Sequence, residues 1–285
     1  MNNILVTGGN GQLGSELREI TPNYQDYSFL FTDVKDLDIT NHSAVAAFIE
    51  SNNITIIINC AAYTDVDKAE SEQELSDAIN HLAVANFAQI AKDNNIKLIH
   101  VSTDYVFDGT KHKPYVETDT PNPQSVYGQT KLDGELAMQQ INPANSIIIR
   151  TSWVYSKFGN NFVKTMLRLA ETRDEISVVS DQIGTPTNAA DLANVILTII
   201  PQINNLNVDT FHFSNEGVVS WYDFALAIFE IKKNPCNVNP ISTEQYPTPT
   251  KRPYYSLLNK VKIKQTYNID ISHWRVSLSQ TLKVF

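Results

Sequence analysis

The segment Thr7-Gly8-Gly9-Asn10-Gly11-Gln12-Leu13-Gly14 constrains this chain more than any other. It follows the short apolar run Ile4-Leu5-Val6 and opens the longer stretch Gln12–Ile20. Gly9, Gly11 and Gly14 fit the pattern G-x-G-x-x-G, and Gly8, Gly11 and Gly14 fit G-x-x-G-x-x-G. Both patterns use the same physics. Glycine permits a tight turn, lets backbone approach a pyrophosphate, and allows a helix to pack closely on a strand. The helix N-terminus then offers its free N–H groups to phosphates. Gly8, Gly11, Gln12, Leu13 and Gly14 are therefore expected to form a dinucleotide-binding turn. An acidic residue for the ribose 2′-hydroxyl is expected about 20 residues further on. Asp33 stands there, closing the strand-like run Ser28–Phe31. Its carboxylate would repel a 2′-phosphate and leans the preference to NAD(H), while nearby Lys35 softens that lean. Asp38-Ile39 is a second candidate pair, better placed to meet an adenine.

The first 150 residues alternate β-rich runs with helical stretches. Ile54–Ile58 is a continuous β-branched run, the mark of a strand buried on both faces. Lys97–Val101 and Ser146–Arg150 read as further strands, and His42–Glu50, Leu75–Lys92 and Val126–Gln140 as helices. The alternation predicts an α/β fold, a Rossmann-type doubly wound parallel sheet. Residues 1–150 are the expected dinucleotide-binding domain, with room for elements around 186–213 to return to it. Residues 151–285 mainly form a smaller α/β substrate-binding domain. There Asn161–Thr172, Asn188–Ile200 and Trp221–Lys232 read as helices, Phe211–Phe213 as a short strand, and the proline-rich Asn234–Tyr255 as an irregular loop.

Ligands of open α/β sheets sit beyond the carboxyl ends of the strands. Thr103 falls there, just past the fourth strand. Tyr127 and Lys131 follow, spaced i and i+4 on one helix face. These residue types suit the reduction of a carbonyl. Hydride reaches carbon, negative charge grows on oxygen, and a hydroxyl must supply a proton. Free tyrosine holds its proton up to about pH 10. A neighbouring ammonium and an oxidised nicotinamide would lower that value. Lys131 can do this while holding the cofactor ribose, and Thr103 can hydrogen-bond the developing oxyanion.

Charge removes other classes. Lys and Arg number 22 against 31 Asp and Glu, a net charge of −9. Nucleic-acid binding needs clustered cations, and the short Lys232-Lys233 and Lys260–Lys264 runs read as solvated faces. No apolar run reaches the ~18–20 residues that span a bilayer. No signal peptide is visible at Met1-Asn2-Asn3-Ile4, so the cytoplasm is the expected setting. Two cysteines, Cys60 and Cys236, argue against a disulfide framework. The histidines lack metal-ligand spacing, and no catalytic metal is expected.

Beyond these motifs, the chain resembles the extended short-chain dehydrogenase/reductase family, and within it the dTDP-4-dehydrorhamnose reductases. The resemblance rests on Gly11–Gly14, Asn59–Glu70, Val101–Gly109, Tyr127–Lys131, Arg150–Tyr155 and Asp181–Thr187. It implies hydride transfer from NADH or NADPH to the 4-keto group of dTDP-4-dehydro-L-rhamnose, a nucleotide-sugar substrate. It assigns Thr103, Tyr127 and Lys131 the catalytic roles argued above. It places Ala61, Ala62 and Tyr63 beside the cofactor, and Val66, Asp104, Tyr105 and Trp153 around the sugar. Asn161 and Arg252 would lie near the nucleotide, Arg252 offering its fork of donors to a diphosphate. Two departures stand out. Arg252-Pro253-Tyr254-Tyr255-Ser256 carries Tyr255 where related enzymes have asparagine. A homodimer is left open, but of the acidic positions that bridge one through Mg²⁺ in some relatives only Glu16 is matched. An epimerase or dehydratase of the same superfamily, and a non-catalytic NADP-binding regulator, remain as alternatives.

Overall fold

The computed structural model describes residues 2–285. Strand β1 (Asn2–Thr7) leads through the glycine turn into α1 (Gln12–Ile20), and β2 (Tyr27–Thr32), α2 (His42–Ser51) and β3 (Ile54–Asn59) follow. Two short helices, α3 (Val66–Ala69) and α4 (Gln73–Asp77), precede α5 (Ala83–Asn94). Then come β4 (Lys97–Thr103), α6 (Val126–Ile141) and β5 (Ile147–Thr151). The two-residue strand β6 (Val154–Tyr155) starts a second region. It continues with α7 (Phe162–Ala170), β7 (Glu175–Val179), β8 (Ile183–Gly184) and β9 (Thr187–Asn188). After α8 (Ala189–Ile199) and β10 (Asp209–His212) come β11 (Val219–Ser220), α9 (Trp221–Lys232) and β12 (Asn237–Ile241). Helices α10 (Val261–Tyr267) and α11 (Trp274–Thr281) complete the chain.

The main sheet runs β10-β5-β4-β3-β1-β2, with all pairs parallel. This is the doubly wound arrangement the alternation of runs implied. Its strands are apolar because helices cover both faces: Ile4, Leu5, Val6, Ile57, Ile58, Leu98 and Ile99 are fully or almost fully buried. On one face Leu13 and Leu17 of α1, Leu192 and Ile196 of α8, and Ile263 and Tyr267 of α10 share a core with the sheet. On the other, Val45, Phe87 and Met138 represent α2, α5 and α6. A third core, with Tyr155, Phe224, Ile228 and Trp274, fills the smaller region. The chain crosses between the two regions repeatedly. It leaves after β5, returns for α8 and β10, leaves for β11–β12, returns for α10, and leaves again for α11.

Local chemistry explains most element ends. The Ser125 hydroxyl accepts from Gly128 N at 3.1 Å and caps α6. Asn95 and Asn142 end α5 and α6 in the left-handed conformation. Three readings from sequence need correction. The Leu75–Lys92 helix is interrupted, because Ala78–Leu82 form a π-turn between α4 and α5. The 234–255 segment is not all irregular, because β12 pairs in parallel with β7 across some sixty residues. Pro240 hid that strand, and it is tolerated there at the edge of a two-stranded ribbon. The Lys260–Lys264 run is not a solvated face either. Lys260 is buried with Nζ 3.3 Å from the Asn215 carbonyl oxygen and 3.4 Å from Glu216. Lys262 pairs with Asp209, and Lys264 with Glu216 at 2.9 Å.

Candidate functional site

The sheet order reverses between β1 and β3, and such switch points hold ligands at the carboxyl ends of the strands. A cleft of about 580 Å³ opens there. Gly8, Gly11, Gln12, Leu13, Asp33, Asp38, Ile39, Ala61, Ala62, Tyr127 and Lys131 line it together. Residues far apart in sequence thus meet at one place. Others that sequence reasoning did not single out for this role complete the lining: Leu37, Cys60, Ile79, Thr151 and Leu192, with Gly159 and Asn160 from the smaller region.

The glycines are demanded by close backbone approach. Gly8 has φ +64°, and a Cβ there would sit 2.8 Å from Ala61 N. Gly14 does not reach the cleft; it lies beneath, where a Cβ would meet the Gly8 carbonyl oxygen at 2.3 Å. Gly14 therefore lets α1 press against the turn, and the first turn of α1 faces the cleft with Gln12 and Leu13. Asp33, at the end of β2, accepts from Asn10 N at 3.1 Å. Asp38 accepts from Thr40 N and Oγ1, bonds that hold its carboxyl below the usual range. A backbone cradle beneath a helix N-terminus, with a carboxylate at the far strand, fits the diphosphate and ribose of a dinucleotide.

Lys131 is almost fully buried. Its Nζ donates to the Val101 carbonyl at 2.7 Å, and burial lowers its pKa to about 8 against the opposing pull of Glu135. Tyr127 is raised above its ordinary value. Burial is the main cause, and the nearby Thr103 hydroxyl works in the other sense. The expected lowering by Lys131 is thus absent from the ligand-free protein, where desolvation dominates and the phenol keeps its proton. Thr103 is buried beside the cleft. Its hydroxyl donates to Asp104 Oδ1 at 3.1 Å and accepts from Tyr105 N at 3.2 Å. Asp104 is 2% exposed, and among the described residues its Oδ2 has no hydrogen-bond partner. Burial pushes its carboxyl up to about 6.

The remaining candidates lie off the cleft lining. Tyr63 turns its hydroxyl to Glu72 at 2.5 Å. Its backbone is clamped by Asn80, which accepts from Tyr63 N at 2.9 Å and donates to Tyr63 O at 3.1 Å. Asn80 sits in the π-turn and also reaches Thr130 Oγ1, at 3.3 Å, on the helix of Tyr127 and Lys131. No spacing rule marks Asn80; only the interrupted helix exposes its role in joining the loop after β3 to α6. Tyr105 packs edge-on to Tyr127, with centroids 5.6 Å apart. Arg252 donates to the Tyr105 hydroxyl at 3.3 Å and pairs with Asp67 at 3.0 Å, so its fork is held by protein groups in this state. Val66 opens α3, and its carbonyl accepts from the Thr250 hydroxyl at 2.9 Å. Asn161 caps α7 and donates to Gln12 Oε1 at 3.0 Å, tying the smaller region to the glycine turn. Trp153 has φ +48° and stacks on Trp221 with centroids 3.6 Å apart. Glu16 is buried and accepts from the Ser156 hydroxyl at 2.5 Å.

Comparison with known proteins points to a single family. The family model described as the RmlD substrate binding domain matches residues 1–285. A dTDP-4-dehydrorhamnose reductase of Aggregatibacter actinomycetemcomitans is 44% identical over 287 residues, covering 98% of this chain and 97% of that one. The crystal structure of a dTDP-4-dehydrorhamnose reductase from Clostridium acetobutylicum superposes with a TM-score of 0.94 at 43% identity, covering 99% of each chain. One from Bacillus anthracis, in complex with NADP, superposes with a TM-score of 0.95 at 40% identity over the whole of both chains.

Proposed function

The chain belongs to the RmlD substrate binding domain family, and from that membership we propose that it reduces the 4-keto group of dTDP-4-dehydro-L-rhamnose to give dTDP-L-rhamnose, with Tyr127 as proton donor. It is an NAD(P)H-dependent oxidoreductase, as its relatives' names and the NADP complex of one of them indicate. The non-catalytic reading of the sequence is thereby set aside.

One observation carries the proposal: Tyr127 and Lys131 open into the same cleft as the glycine turn, with the Thr103 hydroxyl alongside. Gly8, Gly11, Gln12 and Leu13 would hold the diphosphate, Asp33 the adenosine ribose, Asp38 and Ile39 the adenine, and Ala61, Ala62 and Tyr63 the nearer side. When bound, the nicotinamide supplies the hydride. The protein does the rest. Burial keeps Tyr127 protonated until a substrate oxygen gains charge beside it, and the phenol then gives up its proton to that oxygen. Thr103 turns its hydroxyl from Asp104 to the same oxygen, where a fixed donor in a dry site is most effective. Lys131 holds the ribose and carries the positive charge that favours the phenolate left behind. Val66, Asp104, Tyr105 and Trp153 would surround the sugar. Asn161 and Arg252 would serve the nucleotide, Arg252 exchanging Asp67 for the diphosphate.

The test is nicotinamide oxidation, followed by absorbance, with dTDP-4-dehydro-L-rhamnose generated in situ and NADH and NADPH compared in parallel. Sugar-dependent oxidation with either cofactor is expected. Binding of cofactor without sugar-dependent oxidation would overturn the assignment of substrate.

A further inference from the structure

Beneath the cleft a row of buried polar side chains crosses the middle strands of the sheet. Thr7 of β1, Asn59 of β3 and His100 of β4 are directly opposite one another in register. All three are at most 1% exposed, as is Lys131 at the end of the row. Thr7 Oγ1 lies 2.7 Å from Asn59 Oδ1, Asn59 Nδ2 lies 3.0 Å from His100 Nδ1, and His100 Nε2 lies 3.3 Å from Lys131 Nζ. Buried polar chains are costly unless each member is satisfied, so this one has to close.

As oriented, it closes in only one protonation state. Burial keeps the imidazole neutral, holding its pKa well below the usual value. A neutral imidazole has one N–H and one lone pair. Asn59 Nδ2 donates to Nδ1, so the ring proton is on Nε2 and points at Lys131 Nζ. That nitrogen can accept only as an amine. The charged state needs the reverse arrangement. An ammonium donates to Nε2, the ring proton sits on Nδ1, and Asn59 turns its Oδ1 to receive it. The two amide orientations of asparagine occupy the same space; when Asn59 turns, its Nδ2 faces Thr7 Oγ1, and that hydroxyl accepts where it had donated, rotating its own proton away from Asn59. Between the two states one proton is gained, on Nζ. The imidazole keeps its single proton, moved from Nε2 to Nδ1.

We infer that His100 is a positioning residue that couples the proton on Lys131 to the orientation of Asn59, changing tautomer whenever Lys131 gains or loses charge. The inference rests on the proposed function only for the place of Lys131 beside the cofactor. The other titratable groups near Lys131 are Cys60 after β3 and Tyr127, both raised by burial, and Glu135, which is ion-paired at 2.6 Å with Arg150 of β5. The side chain that joins Lys131 to the row is His100.

The direct test is nitrogen NMR of the ligand-free enzyme labelled in its histidine rings, from pH 6 to 9.5. The His100 signals are assigned by their loss in His100→Gln. The ring is expected to stay neutral while its proton moves from Nδ1 to Nε2 as pH rises, and to show one tautomer throughout in Lys131→Met. A single tautomer in the wild-type protein across this range overturns the inference, whether or not the enzyme reduces the proposed sugar. Kinetics gives a second readout. An ammonium bonded to Nε2 is held more strongly than an amine accepting from it. His100→Leu should therefore move the alkaline limb of kcat down by about one pH unit, a tenfold loss of proton affinity at Lys131. His100→Gln, whose amide can face either way, should restore it. Lowered thermal stability in both variants with an unmoved limb would make His100 merely structural.

Discussion

On its sheet side the cleft is walled by main chain. Gly8 and the Ala61 amide approach within a distance that admits no side chain, Gly14 packs as closely beneath Gly8, and strands β1, β3 and β4 hold this side in register. Just off the lining, a second set of neighbours is held by side chain to side chain contacts. Arg252 grips Asp67 and the Tyr105 hydroxyl, Asn161 reaches Gln12, and Trp153 lies on Trp221. The first wall is rigid because backbone hydrogen bonds specify it. The second is adjustable because its contacts can be exchanged one at a time. A dinucleotide with an invariant diphosphate suits the first, and a sugar nucleotide that must enter and leave suits the second.

The contrast can be broken in several places. The largest effect is expected from Tyr127→Phe, which should lower turnover by about 10²–10⁴-fold. Cofactor affinity, measured by fluorescence titration, should change little, because the backbone wall is untouched. Turnover near the wild-type rate would end the assignment of Tyr127.

Next come the two ion pairs, one behind each wall. Glu135 and Arg150 are 1% and 4% exposed, whereas Asp67 and Arg252 are 36% and 30% exposed. Glu135→Ala leaves a buried guanidinium unpaired and should cost about 3–5 kcal/mol in urea unfolding. Asp67→Ala should cost less than about 1 kcal/mol, while altering KM for the sugar nucleotide by freeing Arg252. Similar losses in both variants would erase the distinction between the walls.

Gly14→Ala falls between these two. Overpacking of about 1–3 kcal/mol is expected, with weakened cofactor binding because α1 must move off the turn.

The smallest effect concerns pH. His212, on β10 of the sheet, is buried beside Arg150, and its pKa is lowered from 6.5 to about 3. The unfolded chain binds this proton more readily. The contribution of His212 is therefore fully present above pH 6.5 and is lost as pH falls towards 3. Thermal melts between pH 7 and 5 should show a steeper loss for the wild type than for His212→Gln. Equal slopes would mean that His212 is not held neutral.

The same contrast explains what could be read from sequence. The first wall is built from short local motifs with strict requirements. The glycine turn, Asp33 after β2, and Tyr127 and Lys131 one helical turn apart all announce themselves by spacing. The parallel, doubly wound character of the sheet followed from the alternation of runs, while its strand order came from the structure. What escaped was decided by distant partners. β12 exists because β7 is beside it. Lys260 is buried because Asn215 and Glu216 meet it. The π-turn at Ala78–Leu82 places Asn80 against both Tyr63 and Thr130, and no local preference records that. The burial that raises the Tyr127 pKa was equally illegible: a sequence shows the neighbouring lysine but not the depth at which the phenol sits.

The repeated crossing of the chain bears on the order in which the molecule can be made. A ribosome that has delivered α6 and β5 has supplied the turn, Asp33, Thr103, Tyr127 and Lys131. The edge of the sheet beside β5 still waits for Phe211, and the helix that covers its face waits for Ile263. All the residues proposed for hydride and proton transfer are therefore synthesised in the first half of the chain. The scaffold that holds them is finished only near its end, so a nascent chain carries the chemistry long before it carries the site.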